Sequence, residues 1–423
     1  MRKKILLKGP LLTRSGYGEQ SRFALRALRS REDLFDIFIQ PLKWGHTSWL
    51  FEINEERMWI DKIIEKTIAH IQQGGGFDMS LQVTIPNEWE KLAPVNIGYT
   101  AGIETNKVSP IWLQKGNEKI DKIITISKHS KDVYRGTSAI AKNNQTGQEI
   151  DYRLETPIEH VGYPVKKFDN LPKLDIEMST SFNFLAVAQF GPRKNLTNTV
   201  KWFIEEFKDE DVGMVLKTNI AKNSVIDRET IFKDLTKYLS AFSDRKCKLY
   251  LLHGDMTDEE MHALYRHPQI DAFLALPHGE GFGLPIFEAI YSGLPVVATG
   301  WSGHLDYLVD EEGTEQFYNV AFDLQPVQKE VVWDNIIIKE SMWAYPREQS
   351  AKEKMRLCYE VLRAEHIETR RVRLNEAKEY AEKLHERFAS EKQYKKIVDS
   401  VLGFDSSLIE TQQQEEEIVL EFE

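Results

Sequence analysis

Cysteines, targeting signals and long apolar runs are scarce in this chain of 423 residues. Its two cysteines, Cys247 and Cys358, lie far apart in the sequence, and neither belongs to a CxxC or Cys/His cluster. A reducing compartment would leave both as free thiols, and their surroundings give no reason to expect a metal site. No stretch approaches the length of about 18 apolar residues that a membrane span needs, and the opening MRKKILLKGP turns polar too soon for a signal peptide. We therefore expect a cytoplasmic protein without a transmembrane segment.

A basic surface is also missing. The formal net charge is −11, and residues 405–423 carry seven acids and no lysine or arginine, so the rest of the chain is close to balanced. An overall negative field disfavours nucleic acid or anionic lipid as the main partner. The length predicts two domains, because a single core rarely grows beyond about 250 to 300 residues.

The most informative part of the chain reads ALPHGEGFGLPIFEAIYSGLPVVATGW. Asp271 to Leu276 is apolar and predicts a buried strand, and the seven residues from His278 to Leu284 include three glycines. Pro285 to Ser292 has helical apolar spacing, and Pro295 to Ala298 predicts another buried strand. The pattern predicts a strand, loop, helix and strand, most simply a right-handed parallel crossover. A ligand would bind at the loop, beyond the carboxyl end of the first strand.

Two acids flank this loop, Glu280 and Glu288. An ionised carboxylate can accept hydrogen bonds from two neighbouring hydroxyl groups, so the pair indicates a sugar ligand. Glu280 lies among glycines, whose backbone can approach a ligand closely. Glu288 is expected about one turn inside the helix, and its alternative role is that of an ordinary acid favoured by the helix dipole.

The segment HGEGFGLPIFEAIYSGLPVVAT resembles the donor-binding signature of the retaining, nucleotide-sugar-dependent glycosyltransferases of family 4, the glycosyl transferases group 1. The E-x7-E motif of this family falls on Glu280 and Glu288. The resemblance implies an α/β protein of the GT-B class, with two Rossmann-like domains whose parallel sheets face a central cleft. It also implies that Glu288 binds the ribose of the donor. The donor sugar would be held by Glu280 and the backbone of Gly281, Phe282, Gly283 and Leu284.

The strand pattern and the resemblance together divide the chain into five parts. We expect an acceptor-side domain at residues 1–164, a linker at 165–181, a donor domain at 182–364, helices at 365–404 that return to the first domain, and an acidic tail at 405–423. Residues 145–154 are polar and predict a loop, whereas residues 343–362 predict a helix.

In the first domain, a glycine pair and one acid are the candidate site residues. Gly16 and Gly18 lie between a predicted strand and a predicted helix, and such a helix N-terminus suits a phosphate. The resemblance places this loop near the donor phosphates; the alternative is a tight turn that only reverses the chain. Glu104 resembles an acid of one family branch and could orient or deprotonate the acceptor hydroxyl, the alternative being a solvated loop acid. Many relatives carry a histidine nearby, where this chain has Thr100-Ala101-Gly102.

In the second domain, the resemblance implies a basic pair that binds the donor diphosphate. Lys194 matches its lysine, whereas the usual arginine position falls on Gln189 and Arg193 stands directly before Lys194. Fixed cations would stabilise the charge that develops on the departing nucleoside diphosphate. The alternative is a surface pair beside a helix. Relatives seat the nucleobase against a loop that corresponds to residues 253–256, which makes Gly254 a candidate donor contact.

The prediction is a metal-independent hexosyl transfer from a nucleotide-diphosphate sugar to a hydroxyl acceptor, with retention implied by the resemblance. No cofactor is expected besides the donor as co-substrate, and the catalytic candidates are Glu280, Lys194, Arg193 and Glu104. Sugar epimerases and phosphorylases of the same fold stay open as alternatives. So do a silent nucleotide-sugar-binding or scaffold subunit, which Gln189 and the missing histidine favour, and a viral-type DNA-base glycosyltransferase, which the acidic balance disfavours. The donor, the acceptor class (glycan, lipid or small molecule) and the oligomeric state are left open.

Overall fold

The structure is a computed structural model that describes residues 2–43, 48–50, 52–142, 149–363 and 367–403. The predicted acidic tail at 405–423 lies outside these described residues. Two six-stranded sheets form the framework of the described part. In each of them all neighbouring strands are parallel, which confirms the predicted pair of Rossmann-like halves.

The elements of the first half are, in chain order, β1 (Lys3–Gly9), α1 (Gly16–Arg29), β2 (Phe35–Pro41), α2 (Glu55–Gln72), β3 (Met79–Val83), β4 (Val95–Thr100), α3 (Pro110–Lys119), β5 (Lys122–Thr125), α4 (Lys128–Gly136), β6 (Ser138–Lys142), β7 (Glu149–Arg153) and β8 (Ile158–His160). The sheet order is β2-β1-β3-β4-β5-β8. The prediction of a loop at 145–154 was wrong for Glu149–Arg153, because β7 pairs there with β6 in a separate antiparallel hairpin, while residues 145–148 lie outside the described residues. Most of β7 is exposed, and its polar composition therefore hid a strand.

The elements of the second half are β9 (Phe182–Val187), α5 (Leu196–Phe207), β10 (Val212–Lys217), α6 (Val225–Leu239), β11 (Lys248–Leu252), α7 (Asp258–Tyr265), β12 (Ala272–Ala275), α8 (Leu284–Tyr291), β13 (Val296–Thr299), α9 (Leu305–Leu308), β14 (Tyr318–Val320), β15 (Phe322–Pro326), β16 (Met342–Pro346) and α10 (Glu348–Arg363). The sheet order is β11-β10-β9-β12-β13-β14. Helix α8 connects the parallel neighbours β12 and β13, so the predicted crossover unit is confirmed.

The predicted helix at 343–362 was wrong at its beginning. Strand β16 occupies Met342–Pro346 and pairs with β15 in antiparallel register, and α10 starts only at Glu348. The side chains of Trp343 and Ala344 are buried. A strand in this position is also consistent with Pro346, because proline has no N–H for a helical hydrogen bond.

Two further helices, α11 (Ile367–Arg387) and α12 (Ser390–Leu402), complete the described chain. Helix α12 packs against α1 of the first half, where the ring centroids of Tyr394 and Phe23 are 5.9 Å apart. Phe282 of the glycine loop contacts Tyr163 of the first half at a ring-centroid distance of 5.1 Å. It also contacts Phe388, between the two last helices, at 6.4 Å. The same aromatic core therefore joins the two halves beneath the cleft.

Candidate active site

A cleft of about 720 Å³ opens between the two sheets and takes its walls from both halves. In the second sheet β9 lies between β10 and β12. The chain runs from β9 to β10 in one direction along the sheet and from β12 to β13 in the other, so a crevice opens between the carboxyl ends of β9 and β12. Such a switch point is where open parallel sheets bind ligands. The loops that follow β9 and β12 carry Lys194 and Glu280, and both residues line the cleft. The loop that follows β1 contributes Gly16 from the first half.

Four charged side chains meet at the centre of this cleft. The Arg193 Nη1 atom lies 2.9 Å from Oε2 of Glu280, and its Nη2 atom lies 3.4 Å from Oε1 of Glu104. Lys194 pairs with the other carboxylate oxygen of Glu280. Because Glu104 comes from the first half and the other three residues from the second, this charge cluster spans the cleft. We call these four residues the central cluster.

The electrostatics of the central cluster keep Glu280 ionised. Burial opposes the charge on Glu280, but Lys194 and Arg193 outweigh it and lower the pKa of Glu280 to about 2. Burial and the neighbouring Arg193 together lower the pKa of Lys194 below its usual value. Two cations and two carboxylates thus share a confined space without an excess of either charge.

The two cations are positioned by a tight turn between β9 and α5. Residues Pro192–Lys194 form a 3-10 turn, which ends at Asn195 with a positive φ of 53°. The Asn195 side-chain amide donates to the carbonyl of Leu276 at 3.1 Å. The amide of His278 donates to the carbonyl of Arg193 at 2.8 Å. The basic turn is therefore tied to the loop that carries Glu280, which explains why residues 86 positions apart meet.

Tyr307 binds two carbonyl groups of the glycine loop. The Tyr307 hydroxyl contacts the carbonyl oxygens of Phe282 and Gly283 at 2.8 and 2.7 Å. Gly283 has a φ of +87°, a left-handed conformation that favours glycine, and it starts helix α8. Helix geometry leaves the amide of Leu284, the first helical residue, to an anion or a hydroxyl group, whereas Pro285 has no N–H and the amides of Ile286 and Phe287 donate to the carbonyl of Gly283 at 3.0 Å. Gly281 and Leu284 line the cleft.

Close backbone contact explains another glycine of the motif. A β-carbon on Gly279 would lie 2.1 Å from the carbonyl oxygen of Glu104, so any larger residue would push the two halves apart. A β-carbon on Gly281 would lie 3.1 Å from the Ile126 side chain. The glycine loop therefore also forms part of the contact between the halves.

Glu288 lies in a different environment at the same cleft. The Tyr265 hydroxyl donates to its carboxylate at 3.0 Å. Burial raises the pKa of Glu288 to about 7, although Lys166 opposes this shift. Lys166 itself bridges Glu19 of α1 at 3.1 Å and Asp258 of α7 at 2.9 Å. The predicted ribose contact is thus close to a second group of charges that joins the two halves.

The loop after β1 contributes one predicted glycine to the cleft and holds the other behind it. Gly16 lines the cleft. A β-carbon on Gly18 would lie 2.1 Å from the carbonyl oxygen of Thr13, so Gly18 packs against the loop, and its amide donates to Oγ of the N-cap Ser15 at 3.0 Å. In the described part of the chain, Gly18 is not a wall residue of the cleft. This close packing leaves no room for a side chain, so position 18 requires glycine.

Tyr17, between the two glycines, is a cleft residue that the sequence reasoning missed. Its hydroxyl lies 2.7 Å from the carbonyl oxygen of Ala101 and 3.0 Å from Oγ1 of Thr100. These residues belong to the Thr100-Ala101-Gly102 segment, at which the sequence departs from the expected family pattern. Burial raises the pKa of Tyr17 above its usual range, so its hydroxyl stays protonated. The aromatic residue inside a GYG loop was the available signal.

The remaining predicted residues lie at the other end of the cleft. Gly254 lines it with a φ of +128°, and its carbonyl accepts from Lys217 Nζ at 2.6 Å. Gln189 also lines the cleft, but its side-chain amide donates to the carbonyl of Ile220 at 2.6 Å. Among the described residues, no group of His, Cys, Asp and Glu has the arrangement of a metal site. None of the helices in the described ranges is long and apolar enough to cross a membrane.

Comparisons with known proteins agree with this geometry. Residues 232–319 match the family model of Glycosyl transferases group 1, a range that includes Gly254, Glu280 and Glu288. A stretch of 202 residues is 28% identical to the serotype-specific mannosyltransferase WbdA of Escherichia coli. That match covers 44% of this chain and 22% of the relative, so the chain spans about a fifth of the length of the curated relatives it matches.

Solved structures are similar over almost the whole chain. The Anabaena protein Alr3699/HepE in complex with UDP and glucose has a TM-score of 0.55 at 12% identity, and the match covers 95% of this chain and 100% of that one. Sucrose-phosphate synthase from Thermosynechococcus elongatus has a TM-score of 0.57 at 13% identity, with 94% and 98% covered. The chain therefore has the GT-B fold, and its residues 232–319, which include the E-x7-E motif, match the family model of Glycosyl transferases group 1.

Proposed function

We propose that this protein is a hexosyltransferase that moves a sugar from a nucleotide-diphosphate donor to a hydroxyl acceptor. The observation that carries the proposal is the central cluster, which brings two cations and two carboxylates together beside the glycine loop at the switch point of the second sheet. Cations at such a place suit a diphosphate, and carboxylates suit sugar hydroxyls. We also propose that the protein acts in the cytoplasm.

In the proposed complex, each part of the donor has a partner of matching chemistry. Lys194 and Arg193 bind the diphosphate, and the backbone amides of the glycine loop from Gly281 to Leu284 bind the sugar hydroxyls. Glu280 is held ionised by its neighbours and accepts hydrogen bonds from the sugar. Glu288 accepts from the ribose hydroxyls, and the loop at Gly254 faces the nucleobase.

The proposed reaction breaks the bond between the anomeric carbon and the diphosphate oxygen, whose electron pair stays on the diphosphate. The acceptor oxygen bonds to the anomeric carbon on the same face, and its proton passes to the departing phosphate. Lys194 and Arg193 stabilise the charge that develops on the leaving group, a role worth several kcal/mol in a water-excluded site. Because these two side chains supply the positive charge, we propose that turnover needs no divalent metal ion. Glu104 orients the acceptor hydroxyl.

Two relatives suggest which donors to test first. One bears the name mannosyltransferase, and one structure holds UDP and glucose. A panel of UDP-, GDP-, ADP- and CDP-sugars, including UDP-glucose and GDP-mannose, would be incubated with the protein and followed for release of nucleoside diphosphate, with and without EDTA. The matched control is Lys201→Met, on the exposed face of α5, against Lys194→Met.

We expect one nucleotide class to be consumed, at equal rates with and without EDTA, and consumption to be lost in Lys194→Met alone. Proton NMR of the first product formed would show the anomeric configuration of the donor if retention is correct. Binding of a nucleotide sugar without consumption in any buffer would contradict the proposal and favour the silent binding subunit. Inversion at the anomeric carbon would overturn retention and leave the donor site in place.

A further inference from the structure

The antiparallel hairpin of β15 and β16 has no counterpart in the alternation of strands and helices that builds the two sheets. It leaves the second sheet directly after β14 and returns to it at α10. One end of β16 contacts the loop that carries Glu280, and the same strand contacts the loop of the first half that carries Glu104. The hairpin therefore contacts both of the loops that carry a carboxylate of the central cluster.

The contact with the donor side runs through His278, two residues before Glu280. The ring of His278 stacks on Trp343 with centroids 5.0 Å apart and an interplanar angle of 16°. Its Nδ1 lies 2.7 Å from the carbonyl oxygen of Ala344, and its own carbonyl accepts from the Ala344 amide at 2.8 Å. Since the carbonyl oxygen can only accept, Nδ1 carries the proton. These contacts fix β16 against the glycine loop.

The contact with the acceptor side is a reciprocal pair of hydrogen bonds. The amide of Asn106 donates to the carbonyl of Met342 at 2.9 Å, and the amide of Met342 donates to Oδ1 of Asn106 at 2.7 Å. The side-chain carbonyl of Asn106 thus takes the place of a backbone acceptor. A paired arrangement of this kind fixes orientation as well as distance, whereas the Arg193–Glu104 ion pair at 3.4 Å does not.

We propose that Asn106 is a positioning residue, which holds the Glu104 loop on the hairpin and thereby keeps Glu104 in its place in the central cluster, opposite Arg193. The inference rests on the proposed function, because it gives Glu104 a role toward the acceptor. Strand β16 is the rigid element that connects the two loops. The fixed geometry matters because a small misplacement of a reacting group lowers the rate of the reaction far more than it weakens binding of the substrate.

The test compares Asn106→Ala, Asn106→Asp and a matched control, Asn117→Ala. The aspartate variant keeps the oxygen that accepts from Met342. Asn117 also accepts backbone amides in the first half, from Glu155 at 2.8 Å and Thr156 at 3.2 Å. Two readouts are used: hydrolysis of the nucleotide sugar that the donor panel selects, giving kcat and KM, and amide hydrogen exchange of residues 101–109.

We expect Asn106→Ala to lower kcat about 10-fold with the donor KM within about two-fold, and to speed exchange at 101–109. Asn106→Asp should show the kcat and the exchange of the wild type. Asn117→Ala should also leave kcat and exchange unchanged, even when its melting temperature falls as much as that of Asn106→Ala. An unchanged kcat, an equal loss in Asn117→Ala, or a change in KM alone would overturn the inference. If the wild type consumes no nucleotide sugar, the proposed function fails. The exchange readout then decides whether Asn106 holds the loop, and unaltered exchange in Asn106→Ala overturns that as well.

Discussion

The two carboxylates of the E-x7-E motif lie at one cleft but in opposite electrostatic environments. Burial opposes the charge on both. At Glu280 the adjacent Lys194 and Arg193 overcome it and lower the pKa to about 2, whereas at Glu288 burial prevails and raises the pKa to about 7. The E-x7-E motif therefore does not decide the protonation state of its two glutamates. The pKa of each one depends on its burial and on the charged residues that the fold places beside it.

This difference matches the two roles proposed for the donor. A permanently ionised Glu280 is a pure acceptor toward sugar hydroxyls and a counterion for the cations that receive the diphosphate. Glu288 changes its protonation near neutral pH, so its capacity to accept from ribose hydroxyls should vary with pH. Four substitutions test the contrast.

The largest effect is expected from Lys194→Met, which removes the cation nearest Glu280. We predict a fall in kcat of about 100-fold or more, because a fixed charge toward the leaving group is lost. The measurement is steady-state release of nucleoside diphosphate at saturating donor. Lys201→Met should retain wild-type turnover, since Lys201 pairs only loosely with Glu205 at 3.8 Å on the surface. Equal activity of both variants would remove Lys194 from the mechanism.

Glu280→Gln should destabilise the fold by about 3 kcal/mol at pH 7, because Lys194 and Arg193 are left buried without their shared carboxylate. In the wild type the folded pKa lies below the usual 4.5, so this stabilisation is present above pH 4.5 and is lost as the pH falls toward about 2. Urea unfolding of the wild type and the variant at pH 7 measures the loss of stability, and the same comparison at pH 3 shows how much of the contribution of Glu280 has been lost there. The control is Glu159→Gln, which breaks a pair with Lys122 at 2.9 Å outside the cleft and should cost less. A Gln variant as stable as the wild type would show that the cluster does not hold Glu280.

Glu288→Gln should stabilise the fold above neutral pH, in contrast to Glu280→Gln. The folded pKa of Glu288 is about 7 against a usual value of 4.5, so its contribution is fully present below pH 4.5 and stability is lost as the pH rises through about 7. Glutamine mimics the neutral carboxyl, and we predict that the variant is more stable than the wild type by about 3 kcal/mol at pH 8 and equal to it at pH 4. Melting curves at both values, with the exposed Glu391→Gln as control, measure the difference. A loss of stability at pH 8 would show that the fold stabilises the Glu288 carboxylate and that its pKa is not raised.

The smallest effect is expected from Glu104→Gln. Glu104 competes with an incoming diphosphate for Arg193, so its neutralisation should tighten binding of UDP or GDP by about three- to five-fold. Isothermal titration of the free nucleotides measures this without turnover. Glu259→Gln removes a charge from the same cleft wall away from Arg193 and should leave the affinity within about two-fold. Weaker binding in Glu104→Gln would mean that this carboxylate supports the nucleotide site.

The strands and the E-x7-E loop could be predicted from the sequence because their causes are local. Buried parallel strands such as β9 and β10 read as continuous apolar runs, and glycines mark the loop before α8. The N-terminus of α7 also has a local cause, since Thr257 and Glu260 form a capping box there.

What could not be predicted arises from pairs that are distant in sequence. Nothing local to Glu104 indicates that it meets Arg193 across the cleft, or that Asn106 meets Met342. The strand at Met342–Pro346 was read as helix because its five residues carry no alternation strong enough to outweigh the helical pattern after them. Gly16 and Gly18 look alike in the sequence, yet only the fold decides that Gly16 lines the cleft and Gly18 packs against Thr13.

The most direct test of the central claim, that the cleft is a nucleotide-sugar site, is a thermal-shift panel of UDP-, GDP-, ADP- and CDP-sugars on the wild type and Lys194→Met. A ligand present at about 100 times its Kd stabilises the folded state by about 2.7 kcal/mol, which a melting curve resolves easily. We predict that one nucleotide class raises the wild-type melting temperature and that Lys194→Met loses most of the shift. No shift with any nucleotide sugar, or a full shift in the variant, would contradict the donor site described above.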